Sequence, residues 1–163
     1  MTSEIESNDV RPHAGRAEAI IRRNVLWSLV GGVLPVPVVD VVAIKGVQLK
    51  MLKELADLYE VSFTRDIAKT LVGTLISSTG SVGVGATLGY GFVKLVPGVG
   101  TALGIISTSV VAGAATYALG KVFMMHFETG GTFLDFDAAA MRSHFWSELE
   151  KAKETVAKMQ QEP

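Results

Sequence analysis

Hydrophobic positions along this chain fall into helical segments separated by clusters of proline, glycine and turn-forming polar residues. Residues 1–15 are polar, contain Pro12 and Gly15 and show no period, so an irregular tail is expected there. From Arg16, the residues Ile20, Ile21, Val25 and Leu29 recur at helical spacing, with Glu18, Arg22 and Arg23 between them. Gly31, Gly32, Pro35 and Pro37 should end that helix, since proline lacks a donor and clashes with the preceding turn. A second helix is expected after Pro37, running to about Tyr59. Val41, Ile44, Gln48, Met51, Leu55 and Leu58 lie on one of its faces, and Lys50–Glu54 and Lys53–Asp57 pair on another. Thr64 suits the N-cap of a third helix, with Asp66 complementing its dipole. Pro97, Gly98 and Gly100 make a turn, a fourth helix follows over roughly 101–127, and Gly130 and Gly131 close it. Asp137 caps a last helix whose apolar stripe is Met141, Phe145, Leu149, Ala152, Val156 and Met159. The fold class expected is all-α, with about five helices in a single domain over residues 16–160.

Charge is distributed unevenly. Between Thr70 and Gly120 the only charged residue is Lys94, whereas both ends of the chain are densely charged. Lys94 divides this stretch into Thr70–Val93 and Leu95–Gly120, each longer than the roughly 20 residues that cross a bilayer core. A central glycine-rich apolar hairpin is therefore expected, with arms over roughly 66–93 and 101–127. Lys69 and Lys121 would mark one boundary and Lys94 the other, with Tyr90, Phe92, Tyr117 and Phe123 beside them. The excess of Arg and Lys on the side of the chain ends places both termini in the cytoplasm. The competing reading buries the hairpin in a cytoplasmic bundle wrapped by the amphipathic helices. Residues 24–44 carry one charge, Asp40, and two central prolines. Asp40 is a candidate polar site at the membrane boundary or, more simply, the cap of the second helix.

Small residues recur every four positions in both arms: Gly73, Ser77, Ser81, Gly85 and Gly89, then Gly104, Thr108, Ala112, Thr116 and Gly120. That spacing lines one side of a helix. Close backbone approach over small residues drives helix pairing in lipid, so the stripes are candidate packing seams within the hairpin or between copies of the chain.

Composition narrows the chemistry. The chain has 163 residues, is 48% hydrophobic and carries a net charge of −1, which gives no reason to expect nucleic acid as a partner. It has no cysteine, excluding disulfides and thiolate chemistry. The N-terminus lacks a basic region followed by an apolar core, so no signal peptide is expected. Lys121 follows Gly120, but the first glycine of a phosphate-binding loop and the Ser or Thr after the lysine are missing. Gly83, Gly85 and Gly89 resemble a dinucleotide loop, but no strand precedes them and no acidic residue follows at the required distance. His13, His126 and His144 lack metal-ligand spacing. No catalytic, metal or cofactor residue emerges, and the chain reads as a non-enzyme.

Leu34-Pro-Val-Pro-Val-Val-Asp40, KGVQLKMLKELADLYEV, Lys94-Leu-Val-Pro-Gly-Val-Gly100, AGAATYALGK and ETGGTFLDFD occur in this order. With these motifs the chain resembles the DUF697 family, related to YcjF-like inner-membrane proteins, over roughly residues 16–150. The resemblance implies association with the bacterial inner membrane and with a GTPase, and supplies no catalytic residue. The expectation is a membrane-anchored module contacting membrane lipid and a GTPase or other cytoplasmic protein. The alternatives are a self-associating channel or membrane-remodelling homo-oligomer, and a cytoplasmic or amphitropic bundle that binds a hydrophobic ligand.

Overall fold

The computed structural model describes residues 12–31, 37–77 and 103–161. Within them are five helices: α1 (Ala14–Gly31), α2 (Pro37–Leu58), α3 (Arg65–Ser77), α4 (Leu103–Glu128) and α5 (Ala138–Gln161). No strand occurs among the described residues, so the fold is all-α. The described boundaries fall close to those expected, and the expected end of the third helix near residue 93 lies outside the described residues. Thr64 sits just before α3 and its carbonyl accepts from the Ala68 N–H at 3.0 Å. The Asp137 side chain caps α5 by accepting from the Ala140 N–H at 3.1 Å. Gly130 takes the left-handed conformation (φ 85°) that ends α4, where a side chain would be strained.

α1, α2 and α5 bury the faces that their periodicity marks. α1 turns Ala17, Ile21, Val25 and Leu29 inward, and α2 buries Gln48, Met51, Leu52 and Leu55. α5 buries Phe145, Leu149, Ala152, Val156 and Met159. The centre of the bundle is α4, which packs against α1, α2 and α5. α3 packs instead against α5 and α2. The described turns of the two expected hairpin arms are therefore not each other's main neighbours.

Small residues explain why α4 can sit at the centre. A Cβ on Gly120 would lie 2.7 Å from Ile21 Cγ1, and one on Gly113 would lie 2.8 Å from Val156 Cγ1 and 3.0 Å from Leu29 Cδ2. The small-residue face of α4 thus receives α1 along Gly113 and Gly120, and α5 as well at Gly113. From Gly113 to Phe127, α4 is packed in protein, burying Ala114, Ala115, Ala118, Leu119 and Val122. Lys121 pairs with Glu18 of α1. The expected lipid boundary at Lys121 therefore shifts: that part of the second arm is covered by its own bundle.

These contacts also orient the helices. Ile21 meets Gly120 and Leu29 meets Gly113, so α1 runs antiparallel to α4. Gln48 meets Thr116, and Tyr59 meets Glu128, so α2 runs parallel to α4. Val156 meets Gly113 while Phe136, just before α5, stacks on Phe123, so α5 is antiparallel to α4. One pole of the bundle collects the start of α1, residues 58–65 and residues 128–138. The other collects the end of α1 at Gly31, the start of α2 at Pro37 and the start of α4 at Leu103. At this second pole, α1 stops at Gly31, just past Leu29. α4 extends from Gly113 back to Leu103, about 15 Å beyond that contact at 1.5 Å per residue. α2 extends from Gln48 back to Pro37, about 16 Å beyond its contact with Thr116. Two helix ends thus project past α1.

Candidate functional site

Polar residues inside the bundle form a seam across α1, α2 and α4. Asn24, Ser28, Gln48 and Thr116 are all buried. The Ser28 and Thr116 hydroxyls are 3.0 Å apart, and Gln48 Nε2 donates to Thr116 Oγ1 at 3.4 Å. Ser28 Oγ also donates to the Asn24 carbonyl at 3.1 Å, and Thr116 Oγ1 to the Ala112 carbonyl at 3.1 Å. Asn24 Nδ2 donates to the Ile20 carbonyl at 2.9 Å and to Glu54 Oε2 at 2.8 Å. Glu54 Oε1 accepts from Arg23 Nη2 at 2.7 Å and from Lys50 Nζ at 2.9 Å. A one-turn slip of α1 along α4 would leave these buried groups unpaired, at about 1–3 kcal/mol each. The seam therefore selects register within an otherwise apolar interior. Its signal in the sequence was the presence of Asn24 and Ser28, four residues apart and beside Val25 and Leu29 on the buried side of α1, but that periodicity alone gave them no partners.

Burial pushes the Glu54 carboxyl up, but hydrogen bonds from Asn24, Lys50 and Arg23 outweigh it and hold the group below its ordinary value of 4.5. A carboxyl lowered in the folded state stabilises the fold above its unfolded value, and that contribution is lost as pH falls through the folded one. Glu54→Gln should therefore cost about 1–2 kcal/mol near neutral pH. The difference between the two proteins should shrink at pH values well below 4.5. Urea titrations of both proteins at the two pH values measure it; a gap that stays constant would show that the Glu54 charge adds nothing.

The charged pole is closed by aromatic rings. Phe123 stacks on Phe136 with centroids 4.3 Å apart, and Phe133 packs against Phe63, Phe123 and Phe127. His126 Nε2 lies 2.8 Å from the Thr132 carbonyl and 3.2 Å from Asp135 Oδ1, so it donates there and holds the 128–137 turn against α4. The ring occupies the space in which a Cβ on Gly131 would lie, 2.3 Å from Nε2. Hydrogen bonds from the Thr132 backbone, then from its hydroxyl and His126, hold the exposed Asp135 carboxyl below its usual range. Asp135 and Asp137 are thus turn and capping residues.

A cavity of about 540 Å³ opens at this pole, lined by His13, Tyr59, Lys121, Phe127, His144 and Glu148 among others. It brings together two histidines that are far apart in sequence. Among the described residues no three His, Asp or Glu side chains group closely enough to hold a metal ion.

The sequence-predicted positions divide by their place in this fold. Thr116 lies in the seam and Gly120 under Ile21. Ala112 is half-buried. A Cβ on Gly73 would meet open space. Ser81, Gly85, Gly89, Pro97, Gly98 and Gly100 lie outside the described residues, as do the surroundings of Gly104 and the side chains of Asp40, Ser77 and Thr108. Among the described residues no helix is long and apolar enough to cross a membrane.

A family model described as a domain of unknown function, DUF697, matches residues 1–157. The chain belongs to this family. It is also similar to magnetosome membrane protein 22 of Magnetospirillum gryphiswaldense, with 36% identity over 143 residues, covering 88% of this chain and 73% of that protein. No solved structure matches the chain. That relative is named as a membrane protein, and the family description specifies no reaction.

Proposed function

We propose that this DUF697 chain is a non-enzymatic helical module. It holds to the bacterial cytoplasmic membrane through the pole where α2 and α4 project, and presents its charged pole to a cytoplasmic protein. A GTPase is the class of partner that the family resemblance implies. The observation that carries this reading is the convergence of the two lowest-charge stretches at one pole. Residues 24–44 have Asp40 as their only charge, and residues 70–120 have Lys94 as theirs. The end of α1, the start of α2 and the start of α4 belong to these stretches and lie at the same pole. The opposite pole carries Glu60, Arg65, Glu128, Asp135 and Asp137, groups that favour water. Both termini lie on the cytoplasmic side in this arrangement. The relative named as a magnetosome membrane protein supports the membrane part of the reading.

Membranes from cells producing the full chain, washed with alkaline carbonate, should keep the protein in the pellet. Release into the supernatant would overturn integral anchoring. Affinity capture from mildly solubilised native membranes should recover a GTPase, and captures free of any GTPase would remove the partner from the proposal.

A further inference from the structure

The outward face of α1 changes character along its length. Arg16, Ala19, Arg22, Arg23, Leu26 and Trp27 are its exposed residues from the charged pole towards the projecting one. Leu26 and Trp27 stand one helical turn beyond Arg22 and Arg23, about 6 Å along the axis. Trp27 is 60% exposed and Leu26 47%, although large apolar side chains dominate the interior elsewhere in α1. A cation-to-aromatic step of this length matches the passage from lipid headgroups to the top of the acyl chains, where tryptophan concentrates.

From this gradient we infer that the Arg22–Trp27 strip of α1 is the interfacial contact of the protein, with the arginines among lipid phosphates and Trp27 at the headgroup–acyl boundary. The inference rests on the proposed membrane anchoring and adds to it a surface, a lipid chemistry and a depth. The depth follows from α5. Val156 and Leu29 both pack at Gly113, so they stand at one level of the bundle. Glu154 and Lys158 flank Val156, pair with each other and are mostly exposed. Two exposed charges at that level keep this side of the bundle at the headgroups. Trp27, two residues nearer the charged pole than Leu29, therefore lies no deeper than the headgroup–acyl boundary. The ends of α2, whose charges there are Asp40 and Lys45, and of α4, which carries none before Gly113, project past this level and are the elements that go further.

The chain contains two tryptophans, and Trp146 is half-buried against Phe145 in α5. In the full-length Trp146→Phe protein, Trp27 is thus the sole indole fluorophore. It is reconstituted with vesicles of phosphatidylethanolamine and phosphatidylglycerol whose acyl chains carry bromine either near the carbonyls or near the terminal methyls. The expected result is a blue-shifted emission that loses roughly half its intensity with bromine near the carbonyls, and distinctly less with bromine near the methyls. Quenching by aqueous iodide should fall by roughly threefold on vesicle addition. The Trp27→Phe protein should show neither effect, and its difference from the unaltered chain reports Trp27 even if the Trp146 variant folds poorly. Strongest quenching from the methyl end would overturn the assigned depth. Flotation with vesicles while Trp27 remains open to iodide would overturn the lipid contact, assign the strip to a protein, and leave the anchoring standing. Failure to float at all would overturn the strip and the anchoring together.

Discussion

Replacing Phe123 by alanine should destabilise the protein by about 3–5 kcal/mol, the range for removing a fully buried phenyl ring. The ring is completely buried and touches Phe127, Phe133 and Phe136, with centroids at 5.8, 5.5 and 4.3 Å. Phe133 and Phe136 belong to the short turn segment that launches α5, so Phe123 fastens that segment to the central helix. Loss of the ring removes transfer energy and leaves a cavity that the stacked Phe136 cannot fill without abandoning its own contacts. Chemical denaturation followed by circular dichroism measures the cost, and limited proteolysis should show faster cleavage within residues 128–137. A cost under about 1 kcal/mol would mean that the aromatic cluster is not a stabilising unit. The charged pole that the proposal offers to a partner depends on this cluster for its shape.

Gly120→Val should destabilise by about 1–3 kcal/mol through overpacking. Its Cβ would approach Ile21 Cγ1 to 2.7 Å, Cδ1 to 3.1 Å and Cγ2 to 3.2 Å, and a β-branched neighbour has little rotamer freedom with which to yield. Ile21→Ala alone should also destabilise, by about 2–5 kcal/mol, because it opens a cavity against the same glycine. Combined, the two changes exchange volume across one contact, so the double variant should be less destabilised than the sum of the singles by about 0.5–3 kcal/mol. Strict additivity in urea titrations would show that α1 does not rest on Gly120. The test bears on function because this contact sets the height of Leu26 and Trp27 relative to the projecting ends of α2 and α4.

Much of the fold was legible in the residues. The last helix is the clearest case: of its expected apolar stripe, Phe145, Leu149, Ala152, Val156 and Met159 are buried and Met141 is half-buried. Asp137 reads as a cap because its carboxylate can reach the free amides of a helix start, and it does so at Ala140. The glycines after Glu128 read as a terminator because one of them must take positive φ, and Gly130 does. These features are local, settled within one or two helical turns. The small residues of α4 were equally visible, but their neighbours were not. A spacing of four says that a helix can be approached closely and says nothing about which helix approaches. Here α1 and α5 take those places, with Ile21 on Gly120 and Val156 and Leu29 on Gly113.

By itself the sequence determined the all-α class, most of the described helix starts and stops, the buried faces of α1, α2 and α5, and the removal of charge from residues 70–120. These properties follow from periodicity, proline and glycine geometry and the solvation of charge, all of which act over short separations. Only the tertiary structure decided that Gln48 and Ser28 share Thr116, that His13 and His144 line one cavity, and that Lys121 pairs with Glu18 of α1 beside that cavity. It also decided that the cationic and aromatic residues of α1 point outward in series beside the projecting ends of α2 and α4. Each of those facts depends on which helices become neighbours and in which direction they run. That choice is made by packing energy summed over the whole core, which a one-dimensional pattern does not carry.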